Sequence, residues 1–215
     1  MADPRLIVAD RADRDAVVVV FESGDVHRSD DGGKSFAVSP FPSFAGPFGA
    51  LADSVAAEPG VTTTLALGTQ NNVYTTHDGG ASWTQAAAFT DEGAYVSVAP
   101  GGDVVWVKNW GSAARFFRST DGGVSFHDLG AGMDGVAPDL VPDPVDPAIL
   151  WFLQPDGLSR LDAVTRETAT QHRDVRAVAT VDTAPPAKVF SVDGSVFAFS
   201  PANPEVVYVG AAISW

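Results

Sequence analysis

The 215-residue sequence predicts an all-β fold, a β-propeller of four-stranded antiparallel blades. The first observation behind this is an octapeptide that occurs three times: Ser29-Asp30-Asp31-Gly32-Gly33-Lys34-Ser35-Phe36, Thr76-His77-Asp78-Gly79-Gly80-Ala81-Ser82-Trp83 and Ser119-Thr120-Asp121-Gly122-Gly123-Val124-Ser125-Phe126. Its pattern is hydroxyl, any residue, Asp, Gly, Gly, any residue, Ser, aromatic. The central aspartates, Asp31, Asp78 and Asp121, recur at intervals of 47 and 43 residues. A period of that length with strand-like flanks indicates a radial β-repeat rather than a helical solenoid. The second observation is an apolar strand, an Asp/Pro-rich turn and another apolar strand, recurring along the chain. The third is composition: 21 Gly and 15 Pro, as many turns require, and only short apolar runs.

Taken in order, the first blade spans residues 4–42 and opens with Leu6–Asp10 followed by Ala16–Phe21. The second, 50–89, opens with Ser54–Pro59 and Thr64–Leu67. The third, 94–130, opens with Tyr95–Pro100 and Val104–Val107. The fourth, 137–175, opens with Leu140–Pro144 and Ile149–Phe152. In each, the first run is the inner strand and the second its neighbour. A third strand leads into the octapeptide and a fourth leaves it. The fourth blade carries Gly157-Leu158-Ser159-Arg160-Leu161-Asp162-Ala163-Val164-Thr165 in place of the octapeptide, a turn without the glycine pair. A partial fifth blade, 195–215, has Val196–Pro201 as its inner strand and Val206–Val209 as its second. The sequence thus predicts a single domain of four blades plus the start of a fifth, part of a larger propeller or a chain that completes its ring by association. An unfinished blade leaves a strand edge that recruits partners, here by self-association.

Each part of the octapeptide has a structural task. Asp-Gly-Gly between alternating strands signals a hairpin. The carboxylate is expected to accept backbone N–H groups two or three residues on, and the hydroxyl to bond across the turn. The glycines take positive φ. The aromatic begins the next strand and packs beneath the hairpin.

Net charge is −14 with a sequence pI near 4.4. That field repels a phosphate backbone and anionic lipid, and it favours solubility. There is no cysteine, which excludes disulfides, thiolate metal sites and Cys nucleophiles. No run approaches the ~20 apolar residues of a membrane-spanning helix. Met1–Arg5 lacks a basic region followed by an apolar core, so no secretory signal is predicted.

The octapeptides resemble the Asp-box, or BNR, repeat of sialidases, xyloglucanase-type glycoside hydrolases, sortilin-type receptor ectodomains and a photosystem II assembly factor. The resemblance implies an extracytoplasmic or secreted setting, and hairpins on the blade periphery, away from the ligand face. It makes Ser29, Asp31, Gly33, Phe36, Thr76, Asp78, Gly80, Trp83, Ser119, Asp121, Gly123 and Phe126 structural box residues. The sialidases use three arginines, one in an Arg-Ile-Pro segment, to hold a sugar carboxylate. This sequence has no Arg-Ile-Pro, and Arg28 and Arg118 read as stems packed on third strands. A xyloglucanase-type site needs two opposed carboxylates, and none of the acidic residues is singled out as such a pair.

The resemblance further implies that ligands meet the face shared by the loops after the second strands and those before the first. Trp110, Asn109, Lys108, Asn71, Asp91 and Glu92 are the candidate ligand-binding residues there, with Trp110 as a stacking surface. The Asp-rich turns at 10–15 and 143–146 lack the spacing of a calcium loop, and the four histidines show no ligand pattern. No catalytic residue, metal or cofactor is expected. The reading is a non-catalytic binding or scaffold module for a protein or glycan ligand. The alternative is a fragment of a secreted glycoside hydrolase of sialidase or xyloglucanase type.

Overall fold

The structure is a computed structural model. It describes residues 4–39, 54–70, 72–86, 93–109, 115–131, 140–154, 157–172, 190–192, 195–199 and 207–211. The chain divides into two compact units, Met1–Met133 and Asp134–Trp215. All regular structure among the described residues is strand, arranged as antiparallel meanders in which sequence neighbours pair.

The first unit holds three four-stranded sheets. The first sheet is β1 (Pro4–Ala9), β2 (Val17–Phe21), β3 (Val26–Ser29) and β4 (Ala37–Ser39). The second is β5 (Ser54–Ala57), β6 (Leu65–Gly68), β7 (Val73–Thr76) and β8 (Thr84–Gln85). The third is β9 (Ala94–Val98), β10 (Val105–Asn109), β11 (Arg115–Ser119) and β12 (His127–Ala131). The second unit holds β13 (Leu140–Pro142), β14 (Ile149–Gln154), β15 (Gly157–Asp162) and β16 (Thr168–His172) as a fourth sheet. It also holds β17 (Phe190–Val192), β18 (Ser195–Phe199) and β19 (Val207–Ala211) as a fifth.

The fifth sheet differs from the sequence expectation. β18, read as an innermost strand, is central, because β17 pairs along its other side (Phe190 with Phe197). Among the described residues β19 stands at the end of the order β17-β18-β19.

Strand alternation puts two faces on each sheet. In the first unit the sheets stack through them in chain order. Val8, Val18, Val20 and Val26 of the first sheet meet Ala57 and Leu65 of the second. Ala56, Ala66 and Val73 of the second meet Ala94, Val96, Val98, Val105 and Val107 of the third. The core therefore lies between successive sheets. We call the face turned to the preceding sheet leading and the opposite face trailing.

The registers Val17↔Ser29, Leu65↔Thr76 and Val105↔Ser119 align the three sheets residue for residue. Leading-face positions are then Ile7, Val55 and Val96 on the first strands, and Val19, Leu67 and Val107 on the second. Val96, Leu67 and Val107 are buried. Their counterparts in the first sheet are not: Ile7 is 68% exposed and Val19 is half-buried.

Candidate functional site

The three octapeptides form equivalent hairpins between the third and fourth strands of the first three sheets. In the first, Ser29 Oγ donates to Asp31 Oδ1 (2.8 Å) and accepts from Gly33 N–H (2.8 Å). Asp31 Oδ1 also accepts from Lys34 and Ser35 N–H at 2.9 Å each, and Oδ2 accepts from Ser35 Oγ at 2.6 Å. Asp78 takes Thr76 Oγ1 (2.7 Å), Ser82 N–H (2.8 Å) and Ser82 Oγ (2.6 Å), while Gly80 N–H donates to Thr76 Oγ1. Asp121 takes Ser119 Oγ, Val124 N–H, Ser125 N–H and Ser125 Oγ, and Gly123 N–H donates to Ser119 Oγ. Each carboxylate thus reaches three and four residues on, one step further than the sequence suggested, because two positive-φ glycines widen the turn (Gly32 +72° and Gly33 +83°).

Those bonds stabilise the ionised carboxylates. At Asp31 and Asp121 the hydroxyls of Ser35 and Ser125 lead, and both pKa values fall to about 2. At Asp78 burial is the largest influence and pushes upward, but the Ser82 hydroxyl and the other donors together outweigh it and the pKa again falls to about 2. A carboxyl held this low does not act as a general acid at neutral pH.

Each hairpin is also tied to its own sheet, and the second and third are tied to the preceding sheet. Gly32, Gly79 and Gly122 N–H donate to the carbonyls of Asp15, Thr63 and Asp103, in the turns between first and second strands. The fourth sheet keeps this bond, Ala163 N–H to the Ala148 carbonyl, although it has lost the glycines. Toward the preceding sheet, Ser39 Oγ donates to the Gly80 carbonyl (2.6 Å) and His77 Nε2 to the Gly122 carbonyl (3.2 Å). A Cβ on Gly80 would lie 2.6 Å from Val26 Cγ2, and one on Gly123 2.4 Å from Thr75 Cγ2. These glycines let the hairpin settle on the preceding third strand. Among the described residues, a Cβ on Gly33 would meet only the hairpin's own Phe36, at 3.9 Å. The box aromatics follow suit. Trp83 and Phe126 pack on the cores between sheets, whereas Phe36 is 42% exposed.

A second set of ties joins the turns after the first strands. Asp10 Oδ2 accepts from Thr62 N–H and Oγ1 at 3.2 Å each, and Glu58 Oε1 accepts from Gly101 N–H at 3.0 Å. Asp10 Oδ1 caps its own turn through Ala12 and Asp13 N–H, and Asp143 does the same through Val145 and Asp146. These Asp-rich turns are explained by turn chemistry. Among the described residues no group of three or more His, Asp or Glu could hold a metal ion. The arginines on third strands pack as expected: Arg28 pairs with Asp30 (2.9 Å), and the Arg118 guanidinium lies 5.6 Å from the centre of the Trp106 ring.

The rim proposed for ligands is described in part. Trp110, Asn71, Asp91 and Glu92 lie outside the described residues. The sequence places Lys108 and Asn109 in the loop after the second strand, but both belong to β10 and are 4% and 1% exposed. Lys108 pairs with Tyr95 and Phe116, and its Nζ sits 5.9 Å from the Tyr95 ring centre. Burial lowers its pKa to about 8. Asn109 pairs with Ala94, and its Oδ1 accepts from Arg115 N–H (2.8 Å), which joins the two ends of the loop between β10 and β11. Beside them, Gly93 N–H donates to the Gln70 carbonyl (2.7 Å), bringing the turn after β6 to the start of β9. There a Cβ on Gly68 would lie 1.9 Å from the Ala94 carbonyl oxygen. Sequence patterning missed that close approach, since Gly68 reads as an unremarkable strand end.

No protein-family model and no curated protein matches the sequence. Solved structures do. The chain is similar to the GH74 enzyme of Niastella koreensis, at TM-score 0.57 and 19% identity over 76% of this chain and 23% of that one. It is similar to the GH74 xyloglucanase of Xanthomonas campestris, at TM-score 0.56 and 18% identity over 77% of this chain and 30% of that one. It is similar to YCF48 bound to D1 peptide, at TM-score 0.53 and 16% identity over 97% of this chain and 66% of that one. The chain therefore spans less than a third of the two enzymes. At these identities the likeness establishes the fold: an all-β protein of the β-propeller class, built from four-stranded antiparallel blades.

Proposed function

We propose that the chain is a non-catalytic Asp-box propeller module that binds a protein segment or a glycan at the rim formed by the loops after the second strands and before the first. The observation that carries this reading is the saturation of Asp31, Asp78 and Asp121. Every one of these repeated carboxylates is engaged by donors of its own hairpin, so the repeat builds a scaffold and leaves binding to the opposite rim. A peptide is the favoured ligand, supported by the peptide-bound YCF48 structure that aligns with 97% of this chain. At that rim Trp110 supplies the stacking surface, with Asn71, Asp91 and Glu92 as polar contacts. Asn109 acts from β10 by accepting the Arg115 N–H at the far end of the segment that contains Trp110, and Lys108 is buried beside it in the same strand. Self-association through the edge strand β19 belongs to the same reading.

The alternative, a piece of a secreted glycoside hydrolase, is favoured by the GH74 neighbours. Two assays separate them: retention on peptide and glycan arrays, and turnover of a fluorogenic sialoside and of xyloglucan oligosaccharides. The module reading expects array binding that Trp110→Ala weakens about tenfold or more, and no turnover. Turnover that survives repurification and disappears with one carboxylate substitution would establish the hydrolase instead.

A further inference from the structure

A glycine directly after an aspartate carries a chemical hazard. Its amide nitrogen, with no Cβ beside it, can attack the aspartate Cγ. A C–N bond forms, a C–O bond breaks and water leaves, giving a cyclic succinimide. Water then adds back, and opening at the main-chain carbonyl leaves isoaspartate, with unchanged mass and one more carbon in the backbone. The sequence contains six Asp-Gly pairs, and three of them are the centres of the octapeptides: Asp31-Gly32, Asp78-Gly79 and Asp121-Gly122.

In each hairpin both reacting groups are tied. The nucleophile is held by its N–H: Gly32 donates to the Asp15 carbonyl (2.9 Å), Gly79 to Thr63 (2.9 Å) and Gly122 to Asp103 (2.8 Å). The carboxylate is held at both oxygens. Oδ1 accepts from the hydroxyl two residues back and from backbone N–H ahead, and Oδ2 accepts from the serine four residues on, Ser35, Ser82 or Ser125. The fourth hairpin lacks both the hazard and the serine. Asp162 is followed by Ala163, whose side chain hinders the same attack, and Arg166 stands four residues on. Asp162 Oδ2 meets Arg160 instead, at 3.5 Å. Among these four hairpins a serine hydroxyl on the carboxylate accompanies the glycine and is absent with the alanine.

We propose that Asp31, Asp78 and Asp121 are latent isomerisation sites, kept as ordinary aspartate by the glycine N–H tie and the serine hydroxyl of their own hairpin. Attack requires the amide to release its carbonyl and the carboxyl to turn from its donors, so it waits on opening of the hairpin. The carboxyl pKa of about 2 acts in the same direction. The neutral carboxyl, which is the form that loses water, is roughly fiftyfold scarcer than at the ordinary 3.8. The product's free carboxylate sits on Cα itself, one carbon closer to the backbone, so it does not re-form the same bonds.

Peptide mapping with electron-transfer fragmentation, which separates isoaspartate from aspartate, tests this on the full chain aged at mildly acidic pH. Circular dichroism verifies folding of each variant. In urea all six Asp-Gly pairs convert at comparable rates. In the folded chain Asp31, Asp78 and Asp121 convert about tenfold or more slowly. Ser35→Ala raises conversion at Asp31 about fivefold and leaves Asp78 and Asp121 unchanged, whereas Ser35→Thr, which keeps the hydroxyl, stays near the starting rate. Ser125→Ala acts in the same way at Asp121 alone. Conversion of the three sites in the folded chain as fast as in urea overturns the proposal. So do Ser35→Ala and Ser125→Ala variants that show no local acceleration, or that accelerate all three sites equally.

Discussion

The first and second hairpins share one octapeptide pattern and equivalent internal bonds, yet they stand in different surroundings. Thr76–Trp83 leans on the third strand of the first sheet, seats Gly80 against Val26 and packs Trp83 on the core between sheets. Ser29–Phe36 makes its turn with equal fidelity, but among the described residues Gly33 has only its own hairpin's Phe36 above it, and Phe36 is half in solvent. The motif therefore encodes two separable things. The Asp, the hydroxyls and the glycine φ values make a turn that needs no neighbour. The absence of a side chain at the second glycine, and the aromatic after the serine, make a joint that does.

Substitutions that place a side chain in a joint should have the largest effect. Gly68→Val drives atoms into the Ala94 carbonyl, where backbone must move, and is expected to cost about 3 kcal/mol or more in urea unfolding. The structurally aligned positions Val20 and Lys108 carry full side chains, so the requirement belongs to this one approach between β6 and β9. Next comes the glycine pair. Gly33→Ala and Gly80→Ala share the strain of positive φ, roughly 1 kcal/mol. Gly80→Ala adds the collision with Val26, and should cost about 1–3 kcal/mol more than Gly33→Ala. Equal costs would dissolve the distinction between the covered and uncovered hairpins.

Asp78→Ala and Asp121→Ala should each cost about 1–2 kcal/mol, because turn N–H groups and hydroxyls lose their acceptor. Asp31→Ala should lower the thermal midpoint less, since among the described residues no other sheet is seated against its hairpin. The three aspartates also set an acid limit. Their folded pKa of about 2 lies below the ordinary aspartate value of 3.8, so their contribution is complete above 3.8 and lost as pH falls toward 2. Serine-to-alanine changes at Ser35, Ser82 and Ser125 should move that acid transition to higher pH.

Much of this was legible in the sequence. The turn half of the motif depends on residues within eight positions of one another, and so do the strand runs that flank it. The fourth sheet was legible for the same reason, even without its octapeptide glycines. The joints were not. Asp10 reads as a turn residue, and its bond to Thr62 exists only because two sheets stack. Lys108 and Asn109 look like loop residues because they are polar, yet strand pairing carries them inside. β17 is not legible in the sequence because Phe190–Val192 is three residues long and resembles no other strand in the repeat.

The smallest effect belongs to Lys108. Its folded pKa of about 8 lies below the usual 10.5, so the unfolded chain binds more protons between those values. Stability should therefore rise as pH climbs from 8 toward 10.5, and Lys108→Met should remove that rise. A flat profile in the intact chain would mean that Lys108 is better solvated than its burial implies.

The central claim is that the hairpins are self-contained turns whose firmness comes from the sheet beneath them. Residue-resolved hydrogen exchange on the dilute, monomeric chain addresses it directly, by comparing equivalent amides in the three turns: Gly33 and Ser35, Gly80 and Ser82, Gly123 and Ser125. The account predicts slower exchange in the second and third hairpins than in the first, by about tenfold or more if the joint contributes 1.4 kcal/mol. Equal protection in all three, or the greatest protection in the first, would contradict it.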